Sequence, residues 1–328
     1  MPDDAPKRRH DFDIIARVPK VPRVPGVPRV RKIPRIAITV GDPAGIGPEI
    51  AEKAAADARV REVCEPVIFA PPASTTVPIG APTAESGRAA YDLIVRAVDA
   101  AQRGEVDAIA TAPISKLAFA YADIPWKGHT DLLAHLCGTE RYAMLFHAPK
   151  LVVTLATVHI PLADVARELT ESRVADVIAL TDNWLREKGV SEPRIAVAGL
   201  NPHAGEAGVL GREDDDVIAP AVERARARGV KASGPFPGDT VFLRASRGEF
   251  DAVVAAYHDQ GLIPVKLISF GHAVNVTIGL PIIRTSVDHG TAYDIAGKGI
   301  ADPQSMVAAV VLAAELASRR SARAMVGR

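Results

Sequence analysis

Short β-branched runs alternate with long stretches rich in Ala, Glu and Lys along most of this chain, and no other feature constrains its fold as strongly. Residues 35–40 (Arg-Ile-Ala-Ile-Thr-Val) predict a strand, 41–47 a glycine-bearing turn and 48–61 a helix. The order recurs, with strands expected at 66–69, 108–111, 151–157, 194–200 and 252–257. Helices are expected at 84–103, 162–188 and 215–229, and a last one from about residue 303. Such alternation predicts an α/β fold with a largely parallel sheet, whose ligands collect beyond the carboxyl ends of strands. Most of the polar, glycine-bearing clusters in the sequence follow those expected strands.

Charge separates the chain into two parts. Its 328 residues hold 39 Lys and Arg against 39 Asp and Glu, yet residues 1–34 carry a surplus of five positive charges and the remainder an equal deficit. The basic part repeats proline at Pro19, Pro22, Pro25 and Pro28, a spacing that suits a solvated polyproline II or disordered tail and resists helix packing. The body from residue 35 is mildly acidic, and only 5% of the chain is aromatic. It offers neither the basic stripe nor the stacking platforms of a nucleic-acid binder. The longest apolar run, 306–314, is about half of a bilayer span, and the N-terminus lacks the apolar core of a secretory signal. Cys64 and Cys137 form neither a metal spacing nor a disulfide framework, which fits a reducing cytoplasm.

Four clusters carry possible chemistry. Residues 41–50 (Gly-Asp-Pro-Ala-Gly-Ile-Gly-Pro-Glu-Ile) match neither a dinucleotide fingerprint nor a P-loop. They read either as a tight strand-to-helix turn with Pro48 opening the helix or as backbone N–H groups facing an anion. His159, His203 and His258 each lie just past an expected strand, in surroundings that suit surface histidines or divalent-metal ligands. Lys266, Asn275 and Arg284 stand among Val, Ile and Leu. That is a place for surface-facing strand residues, or for an anion site with Arg284 as the bidentate donor. Finally, 111–116 (Thr-Ala-Pro-Ile-Ser-Lys) and 127–131 (Lys-Gly-His-Thr-Asp) bring hydroxyls, two lysines and a histidine into a loop-rich stretch.

Together, Gly-Asp-Pro-Ala-Gly-Ile-Gly-Pro-Glu-Ile, Gly-His-Thr-Asp, Gly-Leu-Asn-Pro-His-Ala-Gly-Glu, Tyr-His-Asp-Gln-Gly-Leu-Ile-Pro-Val-Lys and Arg-Thr-Ser-Val-Asp-His-Gly-Thr-Ala resemble the 4-hydroxythreonine-4-phosphate dehydrogenase (PdxA) family of pyridoxal phosphate biosynthesis. The likeness runs in order from about Arg35 to the C-terminus. The first motif and the Asp-Ile-Ala-Gly-Lys-Gly loop are also similar to isocitrate and isopropylmalate dehydrogenases, which implies their two-lobed α/β fold with the active site between lobes.

The resemblance implies a cytoplasmic homodimer that uses NAD and one divalent metal (zinc, cobalt or magnesium). It would oxidise the C3 hydroxyl of 4-phosphohydroxy-L-threonine, and decarboxylation would then give 3-amino-2-oxopropyl phosphate. By the same likeness His159, His203 and His258 hold the metal between two subunits, and His129, Thr130, Lys266, Asn275 and Arg284 bind the phosphorylated substrate. The cofactor falls to residues 288–299, with Asp288, His289, Gly290, Thr291 and Asp294. Lys116, Asp239 and Asp259 are candidates for proton transfer by their chemistry alone. Two departures stand out: only about twenty residues separate Cys64 from Glu85, where the family carries a longer excursion of the first lobe, and Gly238 precedes Asp239 where alanine is usual. Rival expectations are a sister dehydrogenase acting on 4-phospho-D-threonate or 4-phospho-D-erythronate, a redox-inactive metal- and phosphate-binding protein, and an acyl-phosphate transferase.

Overall fold

The computed structural model describes residues 33–269 and 271–326, so the expected basic tail, apart from its last two residues, lies outside the described residues. Among those described, ten strands form one sheet. They are β1 (Arg35–Thr39), β2 (Glu65–Phe69), β3 (Ala108–Thr111), β4 (Ala143–Ala148), β5 (Leu151–Leu155), β6 (Arg194–Ala198), β7 (Lys231–Phe236), β8 (Ala252–Ala255), β9 (Val274–Ile278) and β10 (Arg284–Ser286). The spatial order is β2-β1-β3-β10-β9-β4-β5-β8-β6-β7.

The outer runs β2-β1-β3-β10 and β5-β8-β6-β7 are parallel, as the alternating sequence predicts. Between them β9 and β4 pair antiparallel with each neighbour. Three consecutive reversals leave the two parallel runs pointing in opposite senses. Their carboxyl ends therefore lie at opposite edges of the sheet, and no single edge collects every cluster that follows a strand. The antiparallel centre presents a face instead. Register places Phe146 and Ser286 opposite Asn275, and Met144 opposite Thr277. Side-chain alternation then puts these residues and Arg284 on one side of the sheet.

Helices cover both sides: α1 (Gly47–Ala56), α2 (Ala58–Val63), α3 (Ala84–Gln102), α4 (Lys116–Tyr121), α5 (His129–Leu136), α6 (Val165–Glu168), α7 (Glu171–Lys188), α8 (Ala219–Ala227), α9 (Gly238–Ser246), α10 (His258–Ser269) and α11 (Gln304–Val326). On one side Leu145 and Val276 pack in a core with Val174 and Ile178 of α7 and Val310 of α11. On the other, Phe146, Val153 and Val253 pack with Phe242 of α9 and Leu262 and Val265 of α10. Each large apolar side chain buried in these layers contributes about 1.5–3 kcal/mol. None of the described helices is long and apolar enough to cross a membrane.

Several expected boundaries shift for local reasons. The helix expected over 48–61 breaks at Asp57, whose side chain accepts from the Arg59 N–H and starts α2 as its N-cap. The helix expected over 162–188 is interrupted at Leu169 and Thr170, where the Thr170 hydroxyl accepts from the Arg173 N–H and caps α7. Lys266 lies on α10, a helix that tolerates Pro264 inside it, rather than on a strand. The short span after Cys64 holds β2 and then irregular chain up to α3, which opens with a reciprocal capping box between Thr83 and Ser86.

Candidate active site

A cavity of about 240 Å³ opens on the polar face of the antiparallel centre. Its floor is Met144 and Phe146 of β4, Asn275 of β9, and Arg284 and Ser286 of β10. Lys116, His129, Thr130 and Asp131 come from the first turns of α4 and α5, Leu262 and Lys266 from α10, and Asp288 and His289 from the chain after β10. The five residues expected to bind substrate thus meet in one place. Larger cavities of about 550 and 790 Å³ contain none of these five, so composition rather than size picks out the site.

Arg284 dominates the electrostatics. Its residue is only 2% exposed, and its guanidinium donates to Thr277 Oγ1 (3.0 Å) and Thr111 Oγ1 (2.8 Å), both neutral. Its Nε has no partner among the described residues. Burial lowers its pKa to about 9, which still leaves it charged at neutral pH. A buried cation without a carboxylate is expensive in free energy unless an anion arrives. Two further buried polar atoms of the cavity, His129 Nε2 and Asn275 Oδ1, also lack partners among the described residues. Burial, and then the charge on Arg284, holds the His129 pKa well below its ordinary value, so this imidazole is neutral near pH 7. A guanidinium with an unpartnered Nε, a neutral imidazole with an unpartnered Nε2 and an unpartnered amide oxygen suit a small ligand that carries an anion together with donor groups.

Of the three expected metal-binding histidines, the structure brings two together. His159 follows β5 and His258 opens α10; their ring centroids are 5.8 Å apart at one end of the cavity. His258 Nδ1 donates to Asp259 Oδ1 (2.7 Å), which makes Nε2 the ring nitrogen left to bind a metal. Burial, then Lys116 and His258, lowers the His159 pKa, so His159 is a neutral donor. The described residues of this one chain contain no group of three or more His, Cys, Asp or Glu able to hold a metal ion.

His203 lies elsewhere, lining the cavity of about 790 Å³ together with Asp239 and Asp259. Its loop is strained: His203 (φ 55°), Ala204 (55°), Glu206 (46°) and Ala207 (54°) all occupy the left-handed region. The fully buried Asp214 pins that loop by accepting from the Leu200 and Asn201 N–H groups (2.8 and 3.0 Å). Of the candidate proton-transfer residues, only Lys116 borders the cavity of about 240 Å³; Asp239 and Asp259 do not.

The residues expected at the cofactor divide similarly. Asp288 and His289 line the cavity, whereas Gly290, Thr291 and Asp294 do not. Thr291 instead sits against the turn that follows β1, where its carbonyl accepts from the Ile46 N–H (2.9 Å). That contact corrects the anion-binding reading of the turn. The Asp42 N–H donates to the Pro113 carbonyl, Ala44 N–H to Asp42 Oδ1 and Gly45 N–H to the Asp42 carbonyl. With these four N–H groups engaged inside the protein, the turn serves as the tight strand-to-helix connection with Pro48 opening α1. Sequence reasoning marked the cluster that opens at Thr111 but not its bond to Arg284, and it missed the Thr277 hydroxyl altogether, because a neutral threonine inside a strand carries no chemical signal of its own.

A ten-stranded sheet with two parallel runs joined through an antiparallel centre, and a cationic cavity on that centre, define the class: an α/β protein with a site suited to a small anionic ligand. Within that class the family described as pyridoxal phosphate biosynthetic protein PdxA matches residues 38–313, and the chain belongs to this family. It is 46% identical over 320 residues to a 4-hydroxythreonine-4-phosphate dehydrogenase of Desulforapulum autotrophicum, covering 85% of this chain and 94% of that protein. It is 43% identical over 326 residues to a D-threonate 4-phosphate dehydrogenase of Cupriavidus necator, covering 87% and 98%. A crystal structure of 4-hydroxythreonine-4-phosphate dehydrogenase from Klebsiella pneumoniae superposes with a TM-score of 0.79 at 41% identity, over 88% of this chain and 99% of that one.

Proposed function

We propose that this dehydrogenase oxidises the C3 hydroxyl of 4-phosphohydroxy-L-threonine with NAD⁺, and that the resulting β-keto acid loses carbon dioxide to give 3-amino-2-oxopropyl phosphate. The observation that carries the reading is the buried, unpaired guanidinium of Arg284 beside two other unsatisfied polar atoms. The substrate has two anionic groups, an amine and a hydroxyl, and the cavity supplies a complement to each kind. Arg284 is the fixed, planar donor for one anion, and Lys266, exposed at the rim, is the mobile cation for the other. Asn275 Oδ1 accepts from the substrate's donor groups, and the neutral His129 forms a hydrogen bond without adding charge. Lys116, alone among the proton-transfer candidates in bordering this cavity, handles the proton.

His159 and His258 fit a divalent metal as two adjacent imidazoles, one of them oriented by a carboxylate, and the third ligand would be His203 of a second copy. A bound divalent metal supplies Lewis acidity that favours loss of the hydroxyl proton and polarises the carbonyl during decarboxylation. NAD⁺ supplies the hydride acceptor, and residues 288–299 would hold it, with Asp288 and His289 reaching the cavity. A homodimer is supported by the apolar surface around His203, where Leu243, Ile263 and Leu267 are exposed, Leu267 by 85%. We place the enzyme in the cytoplasm, in pyridoxal phosphate biosynthesis.

The test is stoichiometry. Metal-loaded protein given 4-phosphohydroxy-L-threonine and NAD⁺ is expected to release NADH and carbon dioxide in equal amounts. NADH without carbon dioxide would leave only the oxidation standing. Phosphate-ester binding with neither product would favour the redox-inactive reading, and acyl-CoA formation from an acyl phosphate would favour the transferase.

A further inference from the structure

The turn after β1 is one of the strongest motifs of the sequence, yet its N–H groups at Asp42, Ala44, Gly45 and Ile46 are all engaged within the protein. What it holds is the chain between β10 and α11. Ile46 donates to the Thr291 carbonyl, and a Cβ at Gly45 would stand 2.7 Å from that same oxygen, so glycine is needed for the loop to approach. The central contact is a hydrogen bond of 2.7 Å from the Tyr293 hydroxyl to Asp42 Oδ2, across 251 positions of sequence.

Asp42 is fully buried and forms no salt bridge among the described residues. Its carboxylate is satisfied by neutral groups: the Ala44 N–H (2.9 Å), the Tyr293 hydroxyl, and Ser86 Oγ at 3.2 Å. A buried carboxylate so placed needs each of these donors, and the tyrosine is the one that reaches it from the loop. Burial, as the largest influence, pushes the Tyr293 pKa up to about 12, so the phenol remains a donor at every physiological pH.

Both ends of the loop are tied separately. Ser305 Oγ donates to Asp288 Oδ1 (3.0 Å) at its start, and Lys53 Nζ donates to the Gly299 carbonyl (3.0 Å) at its end. Tyr293 fixes the middle, in a short 3₁₀ turn entered through Ala292 in the left-handed region (φ 42°).

We propose that Asp42 and Tyr293 form a positioning latch, which holds residues 288–299 in the one conformation that receives the dinucleotide. The motif around Gly41–Gly47 then serves as the seat of that loop rather than as an anion site. The inference rests on the proposed cofactor role of 288–299. Both act on the cofactor through the loop, as positioning residues.

The latch is tested with Tyr293→Phe in the full chain, with Ser86→Ala as a comparator. The comparator removes a cap of α3 and a neighbour of Asp42 but leaves the loop contact intact. Hydrogen–deuterium exchange of the protein without cofactor is expected to quicken about tenfold in 288–299 for Tyr293→Phe and to stay unchanged there for Ser86→Ala. The Kd for NAD⁺ by calorimetry is expected to rise about tenfold in the first variant only. Wild-type exchange and wild-type Kd in Tyr293→Phe would overturn the latch and leave the dehydrogenase reading intact. Absence of NAD⁺ binding by the wild type would overturn that reading, and a cofactor latch with it. Equal loss of affinity in both variants would show general destabilisation, which also contradicts the latch.

Discussion

Arg284→Met is expected to make the unliganded protein more stable while destroying its function. The guanidinium is buried, unpaired with any carboxylate, and lacks a partner for Nε among the described residues. Its desolvation is a cost to the empty site, one that the proposed function accounts for by the need for a fixed charge. Methionine fills similar space without the charge, and removing such a group is worth about 1–3 kcal/mol, or about 2–8 °C in Tm. The same change removes the fixed anion contact, so kcat/KM should fall by at least about 100-fold and the rise of Tm on adding phosphorylated substrate should disappear. Arg284→Lys keeps a charge but not the planar fork, and is expected to lose activity without the gain in stability. Thermal unfolding with and without substrate measures both effects. A lower Tm in Arg284→Met, with the substrate-induced shift retained, would show that Arg284 is a structural residue and that the anion binds elsewhere.

Subunit mixing should restore activity to two inactive variants. His159 and His258 stand together in one chain, whereas His203 faces a different cavity bordered by exposed apolar residues. If the third ligand comes from the second copy, His203→Ala and His258→Ala homodimers each contain no complete site and should each be inactive and poor in metal. In a hybrid dimer one site receives His203 from one chain and His258 from the other, and is complete. Random reassociation makes about half of the dimers hybrids with one good site of two, so about a quarter of wild-type activity and metal content should return. No recovery after verified exchange would place all the ligands within a single chain. Full activity in either variant alone would remove that histidine from the metal site.

Six strands of the parallel outer runs (β1, β2, β3, β5, β6 and β8) were legible because segments such as 35–40, 108–111 and 252–257 are apolar runs set between helical stretches, whereas β7 and β10 were not. The antiparallel centre was not. β4 (Ala-Met-Leu-Phe-His-Ala) has no β-branched residue, and β10 is three residues long, so neither shows a periodicity that local sequence can display. α10 was hidden by Pro264, which reads as a helix breaker until the packing of Leu262 and Val265 is known. Within the site, cations and amides amid apolar residues marked Lys266, Asn275 and Arg284, since such placements need a reason. The supports that set their geometry were invisible: Thr111 and Arg284 are 173 positions apart, Asp42 and Tyr293 251. Asp214, which pins the strained His203 loop, lies in an acidic run that reads as a solvated helix start.

Head-to-head turnover of two substrates tests the central claim most directly, because relatives bearing both names are similar to this chain over most of its length. Purified, metal-loaded protein is offered NAD⁺ with either 4-phosphohydroxy-L-threonine or D-threonate 4-phosphate, and NADH formation is followed. The proposed function predicts brisk NADH formation from 4-phosphohydroxy-L-threonine, with a kcat/KM at least about 100-fold above that for the threonate. Brisk turnover of D-threonate 4-phosphate with none of 4-phosphohydroxy-L-threonine would contradict it.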